Sequence, residues 1–122
     1  MHLRKPRQKK ELRDRFIDDT QKLVDTNLRQ SDRFVNSAAK YSLELKKAKK
    51  FSRASEIEEL IALVFEEKMK KMHDASFKIR YAVSINIWLK RASESAKQAG
   101  QLQRSNSLEK KAKTFSEKKI GE

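Results

Sequence analysis

The chain has 122 residues and a formal net charge of +13, with 39% charged and 37% hydrophobic residues and no cysteine. This length suits one domain with its own core, and the low apolar share favours a thin bundle over a sandwich or barrel. The absence of cysteine excludes a disulfide framework, a thiolate zinc site and a cysteine nucleophile.

Residues that break helices are almost confined to the ends of the chain. The only proline lies in the first seven residues, and the only glycines are Gly100 and Gly121. Tight hairpins and left-handed helix ends rely on these residue types, so the long run without them predicts few, long helices. We predict an all-α fold, an antiparallel bundle of three or four helices over 8–100. A basic N-terminal arm (1–7) precedes it, and a weakly ordered lysine-rich C-terminal tail (101–122), with room for a short helix, follows.

The first predicted helix covers about residues 8–50. Its apolar residues keep helical spacing, since Ala38 and Leu45 continue the seven-residue register of Ile17. The weak point is "TNLRQSDRF", where Ser31 and its polar neighbours are poor interior helix formers and good caps. The helix therefore either continues through Ser31 or folds back there.

The next boundaries carry recognisable capping signals. Ser55 followed three residues later by Glu58 matches a capping box, which predicts a turn at 51–54 and a second helix after it. Asp74 is the expected N-cap of a third helix. Gly100 is expected to stop that helix, because glycine readily adopts the left-handed conformation at a helix end.

The stretch "FKIRYAVSINIWL" (77–89) alternates apolar and polar residues as a strand would. A strand of this length would span about 43 Å, more than twice the usual length. A helix would instead carry two apolar faces, one with Ile85 and Leu89 and one with Val83 and Ile87, as a central helix does. We predict the helix; two copies of the segment pairing as strands in a dimer is the alternative.

The sequence offers little catalytic chemistry. It has no glycine-rich phosphate loop and no Ser, His and acid order that suggests a triad. His2 and His73 have no partners at metal-ligand spacing. Four carboxylates of the second helix are followed by lysines, which favours structural salt bridges over acid–base work. We therefore expect a protein that is not an enzyme and holds no metal or cofactor.

Positive charge is the strongest functional signal, because lysines and arginines concentrate in blocks at predicted helix ends. Complementing a helix dipole needs one or two cations per end, and self-repulsion at +13 opposes folding. The excess predicts a polyanionic partner, and we favour nucleic acid held by its phosphate backbone over an acidic protein surface. The predicted binding residues are Arg4, Lys5, Arg7, Lys9, Lys10, Arg13, Lys46, Lys47, Lys49, Lys50, Arg53, Lys68, Lys70, Lys71, Lys78 and Arg80.

The alternative function is a helical adaptor or assembly subunit. An unbroken first helix would be much longer than the second, so Leu12, Phe16 and Ile17 would overhang as an apolar stripe. A homodimer, a larger helical assembly or another protein would cover that stripe.

Membrane association is not favoured. The apolar face of the tail is weak, and the most apolar window is too short to span a bilayer. The N-terminus lacks the apolar segment of a secretory signal. We expect an intracellular protein that is neither secreted nor transmembrane.

Overall fold

The computed structural model describes residues 28–115, and this part of the chain is helical throughout apart from short turns. It contains no strand, so the predicted all-α bundle is confirmed and residues 77–89 are helical. Its four helices, in chain order, are α1 (Leu28–Lys47), α2 (Phe51–Lys71), α3 (Ala75–Gln98) and α4 (Leu102–Lys113). The predicted basic arm lies outside the described residues.

Helix α1 passes through Ser31 without a break. It buries Ala38 and Leu45, as the seven-residue register predicts. The choice between a helix continuous from residue 8 and a fold-back in this stretch stays a prediction, because α1 is described only from Leu28 onwards. The beginning of the predicted helix, residues 8–27, lies outside the described residues.

The turn between α1 and α2 is a Schellman motif built on a lysine. Lys49 has a φ of 61°, in the left-handed region that glycine usually occupies. The Lys50 N–H donates to the Leu45 carbonyl at 2.8 Å, and the Lys49 N–H donates to the Lys46 carbonyl at 2.9 Å. These bonds satisfy carbonyl groups that the end of α1 would otherwise leave without partners.

The predicted turn at 51–54 is wrong, because α2 already begins at Phe51. Ser55 is inside the helix and fully buried, and its hydroxyl donates to the Ala92 carbonyl of α3 at 2.7 Å. Glu58 is also buried and does not reach back to a helix end. The pair that resembles a capping box therefore serves contacts between helices.

The other two predicted boundaries are confirmed. The Asp74 side chain accepts a hydrogen bond from the Ser76 N–H at 2.8 Å and caps α3. Gly100, with a φ of 79°, ends that helix, and the Gln101 N–H donates to the Ala96 carbonyl at 2.9 Å. Each backbone hydrogen bond of the first turn recurs here 51 residues later, so the two helical hairpins share one turn design.

Helices α2 and α3 are the two middle helices of the described bundle. Helix α2 packs antiparallel against α1 and α3, α3 packs against α2 and α4, and ion pairs also join α2 to α4. The prediction that residues 77–89 belong to a central helix is therefore confirmed, but the prediction that both of its apolar faces are buried is wrong, because Val83 and Ile87 are 39% and 43% exposed. The α2–α3–α4 core contains Ala62, Ile85, Leu89, Ala92, Ala96, Leu108 and Ala112.

Helix α4 belongs to the bundle, beyond the domain boundary predicted at residue 100. It buries Leu108 and Ala112, and the Ala112 carbonyl accepts a hydrogen bond from the Asn86 amide at 2.6 Å. With 12 residues against 24 in α3, it is about 18 Å long and covers only half of its neighbour. The rest of the predicted tail, 116–122, lies outside the described residues.

Candidate nucleic-acid interface

Four of the five acidic side chains of α2 form ion pairs, and the fifth, Glu56, is exposed. The side chains of Glu58, Glu59, Glu66 and Glu67 are 0%, 21%, 14% and 15% exposed. Three of them pair with another helix, and a fourth pair between helices joins Asp32 to Lys68. The pairs are Lys46–Glu58 at 2.8 Å, Arg104–Glu59 at 2.7 Å, Lys111–Glu66 at 2.9 Å, Lys70–Glu67 at 3.1 Å and Lys68–Asp32.

Glu58 lies at the point where three helices meet. One carboxylate oxygen is 2.8 Å from Lys46 Nζ of α1, and the other accepts a hydrogen bond from the Ser95 hydroxyl of α3 at 2.6 Å. A buried carboxylate needs such partners, because removal from water destabilises an isolated charge. The contacts of Glu58 with Lys46 and Ser95 thus hold α1, α2 and α3 together, and they leave no free acid at this position for catalysis.

Each ion pair uses one cation for each carboxylate, so the cationic excess of the sequence remains on the surface, and the α1–α2 turn carries a run of exposed cations. We call the exposed side chains of Lys47, Lys49, Lys50 and Arg53 the basic pole. Residues 46–53 contain no carboxylate. The nearest exposed acids are Glu44 and Glu56, about one turn into either helix.

Two helix N-termini meet beside the basic pole. Neither α2 nor α4 has a side-chain cap or an acidic residue in its first turn. The Gln101 side chain donates to the Ser52 hydroxyl at 3.2 Å and so ties the two termini together. The partial positive charge of both helix dipoles therefore adds to the lysines and arginine at this end.

The structure separates the predicted binding residues of 46–80 into two groups. Lys46 and Lys68 are ion-paired to carboxylates of another helix, and Lys68 is only 4% exposed, so neither belongs to the candidate interface. The basic-pole residues are exposed, as are four others near the α2–α3 turn, of which Lys70 pairs with Glu67 and Arg80 lies against Phe77. Those four are Lys70, Lys71, Lys78 and Arg80.

Several predicted residues lie outside the described part of the chain. They are the cations of the N-terminal segment, Arg4, Lys5, Arg7, Lys9, Lys10 and Arg13, and the apolar stripe Leu12, Phe16 and Ile17. Their assignments stay predictions.

Sequence reasoning missed a pair of arginine–aromatic contacts on α3. The Arg91 guanidinium carbon is 4.6 Å from the Trp88 ring centroid, and that of Arg80 is 5.9 Å from the Phe77 ring centroid. The signal was present as an aromatic residue followed three positions later by arginine, twice in the same helix. Arg91 was not among the predicted binding residues.

Residues 28–115 also lack the features of a metal site and of a membrane-spanning helix. No cluster of three or more His, Asp or Glu side chains there could hold a metal ion. None of the described helices is long and apolar enough to cross a membrane. The one resolved pKa shift belongs to the Asp74 cap, where hydrogen bonds from the Ser76 hydroxyl and backbone N–H lower the pKa of the carboxyl.

Known proteins add no guide to function. The chain matches no protein-family model, no curated protein and no solved structure. The candidate interface therefore depends on geometry and charge alone.

Proposed function

We propose that this protein is a non-enzymatic nucleic-acid-binding protein that holds the phosphate backbone at its basic pole. The observation that carries the proposal is the division of charge in the fold. Carboxylates of α2 are consumed by ion pairs within the bundle, whereas Lys47, Lys49, Lys50 and Arg53 remain exposed. A surface with this excess of cations attracts a polyanion and releases counterions when it binds one.

The conformation of Lys49 supports a functional role for the pole. A left-handed backbone costs a non-glycine residue about 1–2 kcal/mol, and the equivalent position of the second hairpin is occupied by Gly100. Lysine at this site therefore makes the folded protein less stable than glycine would, and it adds a cation at the turn. Strained positions of this kind are concentrated at functional sites.

The two uncapped helix N-termini suit phosphate in particular. Backbone N–H groups at a helix N-terminus are ready donors, and the helix dipole favours negative charge there. A phosphate near Ser52 and Gln101 would meet such donors from both α2 and α4. Contacts of this kind are made to the backbone and carry no base sequence information.

The alternative is a helical adaptor. Its predicted stripe of Leu12, Phe16 and Ile17 lies outside the described residues. Within the described part, the exposed large apolar residues are Tyr41, Leu43, Phe77, Val83, Ile87 and Leu102. They are spread over three helices, and exposed apolar residues in this number are ordinary for a protein surface. A homodimer, a larger assembly and an acidic protein partner remain the corresponding alternatives to nucleic acid.

The proposal can be tested by removing the pole and comparing it with an equal loss of charge elsewhere. The affinity for a random-sequence DNA duplex is measured across a salt series for both quadruple variants, after circular dichroism shows native helix content. The pole variant carries Lys47→Ala, Lys49→Ala, Lys50→Ala and Arg53→Ala. The control variant carries Arg33→Ala, Lys40→Ala, Lys110→Ala and Lys113→Ala, all at exposed cations.

Each phosphate contact contributes about 0.9 to the slope of log affinity against log salt for duplex DNA. We expect the pole variant to lose about 3 to 4 from the slope and the control to lose much less. Equal losses in the two variants would show that binding is not centred on the pole. No measurable binding of the unmodified protein at low salt would contradict the proposal itself.

A further inference from the structure

Helix α3 repeats one small arrangement of side chains along one side. Phe77 is followed three residues later by Arg80, and Trp88 is followed three residues later by Arg91. The two pairs are eleven residues apart, which is three helical turns, so they lie on the same side of α3 at a separation of about 16 Å. We call Phe77, Arg80, Trp88 and Arg91 the stacking face.

The two pairs present flat groups to solvent. Phe77 is accessible to a ligand from solvent, because this residue is 46% exposed. The half-buried Trp88 ring packs against the core, so its position is fixed, and the exposed Arg91 lies over it. A planar guanidinium held over an aromatic ring offers its outer plane to a further flat partner.

The surroundings of the stacking face favour an anionic partner. No carboxylate occurs in residues 75–93, a length of about five helical turns, and the exposed acids Asp74 and Glu94 lie just beyond the two ends of this stretch. Lys78 and Lys90 add exposed cations about a third of a turn to either side of the stacking face. Flat groups with cations on both flanks suit a ligand that combines flat rings with negative charges.

We propose that the stacking face binds single-stranded nucleic acid, stacking bases on the two arginine–aromatic pairs while Lys78 and Lys90 neutralise phosphates. The inference rests on the proposed nucleic-acid function and narrows the ligand from nucleic acid in general to single strands. In a duplex the base faces are covered by neighbouring base pairs, whereas a single strand exposes them. Stacking on aromatic rings and guanidinium planes tolerates any base, so this binding depends little on sequence.

Trp88 makes the test specific, because it is the only tryptophan in the chain. The full chain is titrated with a mixed-sequence single-stranded DNA and with a duplex of the same length and salt, while tryptophan fluorescence and anisotropy of labelled DNA are recorded. We expect the single strand to bind more tightly and to change Trp88 fluorescence. The duplex should bind with little change in fluorescence.

The main variant is Arg91→Lys, which keeps the positive charge and removes the planar group. Loss of one stacked base should weaken single-strand binding at least about fivefold and leave duplex binding nearly unchanged. Phe77→Leu, at an exposed position, should act in the same direction. The matched control is Arg53→Lys in the basic pole, which should affect both ligands equally and little.

The outcomes distinguish a failure of the stacking face from a failure of the proposed nucleic-acid function. Failure of both DNA forms to bind would contradict the proposed function. Salt-dependent binding of both forms with equal affinity, unaffected by Arg91→Lys, would leave the function standing and overturn the stacking face. Poly-glutamate that binds as tightly as the single strand and changes Trp88 fluorescence equally would also overturn it, because charge alone would then explain recognition.

Discussion

Lys46 and Lys47 are neighbours in sequence with different tasks. Lys46 pairs with the fully buried carboxylate of Glu58, whereas Lys47 is exposed in the basic pole. Lys46→Ala should lower the free energy of unfolding by about 3 kcal/mol, because it leaves a buried carboxylate without its cation. Lys47→Ala should change it by less than about 0.5 kcal/mol.

Chemical denaturation of the two variants checks this prediction. The same variants should show the opposite order in nucleic-acid binding, with Lys47→Ala the weaker binder among folded molecules. Equal stability of the two variants would mean that Glu58 does not depend on Lys46 in the folded protein.

The Asp74 cap predicts a pH dependence of stability. Hydrogen bonds from Ser76 lower the pKa of the folded carboxyl, so the cap stabilises α3 above the pKa of an unfolded aspartate, about 3.9. This contribution is lost as the pH falls through the lower folded value. Asp74→Ala should therefore melt at a lower temperature at pH 7, with the difference from the unmodified protein vanishing in strong acid. A difference that does not change with pH would argue against the cap.

For individual residues, the sequence predicts the contacts that a side chain makes with residues close to it in the chain. Asp74 and Gly100 act through residues next to them in the chain, and both predictions are confirmed. Ser55 and Glu58 have an equally clear local pattern, yet their partners Ala92 and Ser95 lie 37 residues away. Local sequence cannot distinguish a capping box from a serine and a glutamate that bond to another helix.

Among the elements, the two hairpin turns form a natural matched pair. They have the same backbone hydrogen bonds, with Lys49 at the left-handed position in one and Gly100 in the other. Lys49→Gly should stabilise the protein by about 1 kcal/mol, and Gly100→Ala should destabilise it by about the same amount. No atom lies within 4 Å of a Cβ added at Gly100, so backbone strain alone should cause the loss.

Thermal or chemical denaturation measures both effects. If the proposed function holds, Lys49→Gly should also weaken nucleic-acid binding while raising stability, a trade that is common at functional positions. Stability unchanged by Lys49→Gly would show that lysine is not strained in this turn.

For the helices, the spacing of apolar residues predicts some of the buried faces but not all of them. The spacing of apolar residues predicts the buried faces of α1 and α2 and one face of α3. It does not predict that Val83 and Ile87 stay exposed, because that depends on where α1 and α4 lie. Lys49 likewise gives no turn signal, since lysine rarely adopts a positive φ.

For the whole molecule, the fold decides which of the charged residues are paired and which are exposed. The acidic stretch of α2 looks like a neutralising waist in the sequence, but four of its five carboxylates pair with cations of α1, α2 and α4. The blocks of lysine and arginine are visible in the sequence. Which of them are free depends on tertiary pairing, as Lys46 and Lys68 illustrate.

The most direct test of the account is the salt dependence of nucleic-acid affinity. The measurement is the dissociation constant of the full chain for random-sequence DNA between 50 and 200 mM salt. Contact of about four phosphates with the basic pole predicts a loss of roughly 10²-fold in affinity over this range. Weak binding that barely changes with salt would contradict the account and favour a helical adaptor.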